Sequence, residues 1–219
     1  MQAQLELQTA REQLVSYCGR LADDGLAVGA AGNMSVRVGD LVVITPSGVP
    51  YDVMTAADMC VVTRRGEEVE APETPSSELP MHLAVYAHSE AAAVVHTHSA
   101  EVIALSASCS ELPAIHYAIT ALGGPVRVAG YTRFGSDGLA QAATDALAGR
   151  RAAILQNHGA ICYGASLGQA YERAGLLEWL ARVYRLSLAY GQPRILSEAE
   201  LAEVAAESKR RRYGERRQR

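Results

Sequence analysis

Phenylalanine and tryptophan are almost missing from this chain: one of each stands beside ten tyrosines in 219 residues. A core built from such a sequence must rest on Ala, Leu and Val, and half the residues are apolar, enough to make that core sizeable. No apolar run is long enough to cross a membrane, and the opening Met1-Gln-Ala-Gln-Leu-Glu6 lacks the basic start and apolar stretch of a signal peptide. A cytoplasmic protein without a membrane partner is therefore expected. Cys18, Cys60, Cys109 and Cys162 are scattered and form no Cys-x-x-Cys pair, so free thiols rather than disulfides are expected. No Gly/Ser/Pro-rich linker divides the chain, which reads as one domain.

Charge is unevenly spread. The net charge is -4, but the segment Lys209-Arg-Arg-Arg-Tyr-Gly-Glu-Arg-Arg-Gln-Arg219 holds seven basic residues and one acid. Thirteen basic and twenty-three acidic groups remain upstream, a net of -10. A basic tail can serve nucleic acid, yet nothing before residue 209 offers a basic face to extend that contact. Residues 209–219 are expected to be a tail, solvated or docked on an acidic neighbouring subunit, after a domain spanning 1–208.

Periodicity orders the rest. Leu5, Leu7, Leu14, Tyr17, Cys18 and Leu21 fall near helical spacing and predict a helix from about Gln4 to Asp23. A Gly-rich turn, Gly29-Ala-Ala-Gly-Asn-Met-Ser35, ends in neither a Walker lysine nor a dinucleotide fingerprint, though its backbone can approach an anion closely. Leu41–Ile44 reads as a strand running into a second small-residue loop, Thr45-Pro-Ser-Gly48. Residues 58–70 suggest a hairpin. Ser76 and Ser77 followed by Glu78 read as the start of a helix to about Glu90, a place for capping and equally for a phosphate. Pro113–Tyr117 reads as a short strand. Residues 137–147, 167–190 and those from 197 onward read as helices, and 152–163 as strand, turn, strand with His158 at the turn.

The chemistry gathers around Ala92-Ala-Ala-Val-Val-His-Thr-His-Ser99. In a strand, residues i and i+2 share a face, so His96 and His98 would project side by side. Two readings stay open for that pair alone: two ligands of one metal, or two surface imidazoles. His158 also sits where a site opens, whereas His82 and His88 lie on the helix after Glu78 and suit packing or surface roles. Three neutral imidazoles with a carboxylate, Glu78 being the nearest in sequence, suit a borderline divalent ion with zinc favoured.

Taken in order, Gly29-Ala-Ala-Gly-Asn-Met-Ser35, Thr45-Pro-Ser-Gly48, Pro75-Ser-Ser-Glu78, His96-Thr-His98, Ile115-His-Tyr117, Phe134-Gly135 and Asn157-His-Gly159 resemble the class II aldolase/adducin family. The likeness is closest to its bacterial L-fuculose-1-phosphate aldolases and spans roughly Gln4 to Tyr213. It implies an α/β fold: a single three-layer α/β/α domain around a mostly antiparallel sheet, assembled as a homotetramer with sites at subunit interfaces. It implies Zn²⁺ on His96, His98 and His158, with Glu78 as a ligand able to leave the metal and move a carbon-bound proton. It implies a phosphate cradle from Gly32, Asn33, Ser47, Gly48, Ser76 and Ser77. The proton-donating tyrosine of the family falls on Tyr117, and a second, reaching a neighbouring subunit, on Tyr213.

The activity so implied is reversible cleavage of a ketose 1-phosphate to dihydroxyacetone phosphate and a small aldehyde such as L-lactaldehyde. Pentulose-phosphate 4-epimerases resemble this pattern but usually carry Asp where Glu78 stands. Methylthioribulose-phosphate dehydratases share the histidines without the Ser-Ser-Glu arrangement, and adducin heads resemble the fold without working metal chemistry. Ala30 departs from the threonine usual in the phosphate loop of the closest relatives.

Overall fold

Residues 2–211 are described by the structure, a computed structural model; Tyr213 lies outside the described residues. Alternating side chains build its sheet. Along β1 (Asn33–Val38), Met34 turns to one core while Asn33 and Ser35 turn to the opposite side. In β2 (Leu41–Ile44) and β3 (Cys60–Thr63), Val43 and Val61 face the first core and Val42 and Val62 the second. The short β4 (Glu68–Glu70) closes this edge as the expected hairpin with β3.

β5 (Ala93–Thr97) lies near the middle, hydrogen-bonded to β1 on one side and β9 (Gly159–Gly164) on the other. Beyond β9 come β8 (Ala152–Leu155), β7 (Val126–Ala129) and β6 (Glu111–Leu112), giving the order β4-β3-β2-β1-β5-β9-β8-β7-β6. Among the described pairs only β7 and β8 run parallel, and α4 (Asp137–Leu147) supplies the crossover such a pair requires.

Helices cover both faces. α2 (Leu79–His88) and α4 pack Met81, Val85, Tyr86, Leu139 and Ala143 on one side of the sheet. α1 (Gln2–Asp23), α3 (Ala100–Ser106) and α5 (Leu167–Leu188) bury Leu14, Leu21, Val102, Leu177 and Leu180 on the other. Full burial of each such aliphatic side chain contributes about 1.5–3 kcal/mol, and Ala, Leu and Val dominate both cores as the aromatic shortage requires. The molecule is thus a three-layer α/β/α domain with a mostly antiparallel sheet. α6 (Glu198–Arg210), capped by Ser197, packs against the segment after Pro113. It runs through Lys209 and Arg210, the first residues of the basic segment.

Three local expectations change. Leu5 is 65% exposed, because a residue two places from Leu7 lies about 200° around the helix and cannot share its buried face. Helix α2 begins at Leu79 rather than Ser76; Glu78 takes the N-cap position but makes no side-chain cap, its carboxylate being turned into the sheet. Pro113–Tyr117 is no strand. Pro113 has no amide to donate to a ladder, pairing stops at Leu112, and Tyr117 opens a short 3₁₀ helix, Tyr117–Leu122, with the His116 ring accepting from the Ala118 amide at 3.2 Å.

Candidate metal centre

Sheet register brings the histidines together. His96 is the penultimate residue of β5, facing α2, and His98 follows just past the strand end on the same side. His158 comes from the β8–β9 turn, where Asn157 holds φ 55°, a left-handed conformation that asparagine tolerates better than most residues. The Asn157 amide is tied to Ser106 Oγ at 2.9 Å. Gly159 follows because no side chain fits: a Cβ there would lie 2.1 Å from the Thr97 carbonyl oxygen and 3.4 Å from the His96 ring. At Gly32, φ is +83° and a Cβ would stand 2.8 Å from the His96 carbonyl oxygen.

The three rings are mutually edge-on, with centroids 4.7–4.9 Å apart. His96 Nε2 lies 2.8 Å from His98 Nε2 and 2.8 Å from Glu78 Oε2; His158 Nε2 lies 3.2 Å from Glu78 Oε1. One ligand atom from each of Glu78, His96, His98 and His158 falls within 4.8 Å of all the others. The rings face one point.

Electrostatics fit a cation there. His96 Nδ1 donates to the Ala160 carbonyl oxygen at 2.8 Å, which leaves its Nε2 lone pair bare and aimed inward. Burial, with His96 and His158 close by, pushes His98 down to about 3, so it stands neutral and ligand-ready at physiological pH. Burial pushes Glu78 up, but its nearness to His96 and His158 and the hydrogen bond from Asn33 prevail and hold it well below the usual carboxylate range. Glu78 Oε1 is buried and, despite its nearness to His158, makes no aligned hydrogen bond. Leaving a buried acceptor unpaired costs about 1–3 kcal/mol, and crowded nitrogens beside an orphaned carboxylate oxygen make a group that could hold a divalent ion.

A cavity of about 320 Å³ opens over this centre. Glu78, His98 and His158 line it, and so do all six residues expected to cradle a phosphate: Gly32, Asn33, Ser47, Gly48, Ser76 and Ser77. Ser76 Oγ accepts from the Glu78 amide at 3.3 Å, while Tyr51 OH donates to the carbonyls of Ala31 and Gly32 at 2.9 and 2.7 Å and pins the first loop. Tyr131, Thr132, Phe134 and Asn157 complete the wall. Tyr117 is not among the lining residues. It is 56% exposed, stacked on His116 at 4.3 Å, beside Glu203, Val204 and Glu207 of α6.

With that geometry in view, comparison with known proteins narrows the possibilities. The family model for the class II aldolase and adducin N-terminal domain matches residues 12–185. This chain belongs to the class II aldolase and adducin family. A 5-deoxy-D-ribulose 1-phosphate aldolase of Bacillus thuringiensis is 38% identical over 202 residues, covering 91% of this chain and 95% of its own. An L-fuculose phosphate aldolase of Escherichia coli is 37% identical over 203 residues, covering 91% and 94%. The solved structure of an L-fuculose 1-phosphate aldolase superposes with a TM-score of 0.89 at 34% identity, covering 92% and 96%. Class II aldolases depend on a metal, which agrees with the Glu78–histidine group.

Sequence reasoning missed the residues behind Glu78. Asn33 Nδ2 donates to Glu78 Oε2 at 2.9 Å, and Asn33 Oδ1 meets His82 Nε2 at 2.7 Å. His82 Nδ1 meets Ser35 Oγ at 2.7 Å, and Ser35 Oγ meets Tyr86 OH at 2.8 Å. The signal was available: Asn33 and Ser35 are an i, i+2 pair on a strand, His82 and Tyr86 an i, i+4 pair on a helix. Polar residues at those spacings on two apolar elements can meet face to face.

Proposed function

We propose that the protein is a zinc-dependent aldolase that reversibly cleaves a ketose 1-phosphate, L-fuculose 1-phosphate or a similar deoxy sugar phosphate, into dihydroxyacetone phosphate and a small aldehyde such as L-lactaldehyde. The observation that carries this reading is one cavity with a Glu–His–His–His centre at its floor and small hydroxyl and glycine residues along its wall. His96, His98, His158 and Glu78 would hold the ion. Bound there, a divalent metal supplies Lewis-acid stabilisation of the negative charge that builds up when the carbon–carbon bond breaks.

The chain's own residues do the rest. Backbone and hydroxyl donors of Gly32, Asn33, Ser47, Gly48, Ser76 and Ser77 grip the phosphate and supply binding energy remote from the reacting carbons. Glu78, whose Oε1 makes no hydrogen bond among the described residues, delivers a proton to the carbon released from the aldehyde and removes it in the synthetic direction. Tyr117 accepts the proton of the hydroxyl that becomes the aldehyde and returns it during synthesis. Its distance from the cavity of its own chain supports a site shared between subunits of a homotetramer, with Tyr117 arriving from a neighbour. Tyr213, at the end of the 209–219 tail, is proposed to reach a neighbouring site likewise. The proposed setting is cytoplasmic, without nucleic-acid or membrane partners; no described helix is long and apolar enough to cross a membrane.

Glu78, rather than Asp, after the paired serines favours aldol cleavage over the 4-epimerase reading on the same scaffold. Incubation with L-fuculose 1-phosphate and 5-deoxyribulose 1-phosphate should release dihydroxyacetone phosphate, trapped by reduction and quantified. Release from none of a panel of ketose 1-phosphates would overturn the reading.

A further inference from the structure

Behind Glu78, on the side away from the cavity, the fold buries a row of polar side chains inside an otherwise apolar layer. Ser35 and His82 are wholly inaccessible, Tyr86 is 1% exposed, and Asn33 and Glu78 are 6% and 5% exposed. The surroundings are Met81, Val85, Val94 and Ile161. Five polar groups in such a place must satisfy one another.

Their hydrogen bonds run in one direction only. An ionised carboxylate can only accept, so the Asn33 atom 2.9 Å from Glu78 Oε2 is its NH₂. Asn33 Oδ1 then faces His82, and an amide oxygen can only accept, so His82 Nε2 carries a proton at 2.7 Å. Complete burial disfavours the charged ring, so with its proton on Nε2 the Nδ1 is bare. Ser35 must therefore donate to Nδ1 at 2.7 Å, and having used its proton it can only accept from Tyr86 OH at 2.8 Å. Each assignment is forced by the one before it. The row reads Tyr86 to Ser35 to His82 to Asn33 to Glu78, every donor pointing toward the carboxylate.

Resting on the reading of Glu78 as metal ligand and proton carrier, we infer that His82 is a positioning residue that sets the Asn33 amide and, through it, the carboxylate of Glu78. A planar amide can turn by 180°, and the flipped form would present an oxygen to the carboxylate. Among the described contacts of that amide, the His82 N–H is what holds Oδ1 in place and forbids the flip. With Oε2 so anchored, Oε1 is the carboxylate atom left for the ion and for a proton. The His82 amide meets the Glu78 carbonyl at 3.3 Å, but its ring reaches the Glu78 carboxylate only through Asn33 and does not line the cavity.

The test reads the metal rather than turnover. Full-length protein is stripped, loaded with Co²⁺, and followed by visible absorption and by chelator competition. His82→Leu removes the donor and should weaken Co²⁺ binding roughly 10–100-fold, the usual penalty for removing the partner of a ligand, and shift the d–d bands. His82→Gln keeps an N–H within reach of Asn33 and should restore most of both. Ser35→Ala loosens the tautomer without removing the ring and should give a smaller loss in the same direction. A folded His82→Leu protein with wild-type Co²⁺ affinity and spectrum overturns the inference, as does His82→Gln behaving no better than Leu. Should the Leu protein not fold, Gln near wild type with Ser35→Ala weaker supports the inference, and the reverse order overturns it. Wild-type protein that binds Co²⁺ but releases no dihydroxyacetone phosphate defeats the aldolase reading alone.

Discussion

The histidine centre and Tyr117 sit in contrasting parts of the fold. Glu78, His96, His98 and His158 come from a helix start, a central strand and a tight turn, and sheet pairing on both sides of β5 fixes where they point. His96 is wholly buried and Glu78 nearly so. Tyr117 opens a single 3₁₀ turn, stacks on His116, which in turn meets Trp179 edge-on at 5.1 Å, and leaves over half its surface in solvent. The lesson is a division of labour: one chain brings together a group that could hold an ion, while under the proposed mechanism the oxygen-side proton transfer depends on how chains assemble.

The sharpest attempt to break that division is Glu78→Gln, which keeps a ligand-sized side chain but cannot carry a proton. Turnover is expected to fall about 10²–10⁴-fold with metal still bound, and proton exchange on dihydroxyacetone phosphate should vanish. Exchange at the wild-type rate would move the base elsewhere. Tyr117→Phe should then lower cleavage by about 10²-fold, with exchange and metal content much less affected. Mixing the two inactive proteins and reassembling them should regain activity, since hybrid interfaces pair an intact Glu78 with an intact Tyr117; no recovery from verified hybrids would put both groups on the same chain.

The smallest effect concerns stability and pH. His82 and His98 are each pushed from the usual 6.5 to about 3, largely by burial. The unfolded chain therefore takes up protons that the fold refuses, so their contribution is full above about pH 6.5 and is lost as pH falls toward 3. The Tm of metal-stripped protein should decline steadily between pH 7 and 5. A flat profile over that interval would mean that neither ring is kept neutral by the fold.

Much of this was legible in the order of residues, for identifiable reasons. His96-Thr-His98 at strand spacing, His158 at a turn and Ser-Ser-Glu before a helix state their own geometry, so the cluster and the cavity wall could be expected from spacing and resemblance together. Pro113–Tyr117 misled, because Ile115 and Tyr117 favour strands while the warning lay in Pro113, which cannot donate to a ladder, and the chain turns into a 3₁₀ helix instead. Asn33 was legible as a cavity residue but not as a bridge, since its second partner, His82, lies 49 positions away on an element whose facing is decided by packing. Asn157 in a left-handed conformation was hidden for the opposite reason: nothing distant is involved, but only the built turn shows the backbone bending there.

Because β5 is clamped between β1 and β9, with His96 opposite both Asn33 and Ile161, its frame is the least negotiable in the molecule. Removing one residue between Ala91 and His96 would carry the wrong half of the strand to the helix-covered side, putting threonine and serine where the imidazoles stand.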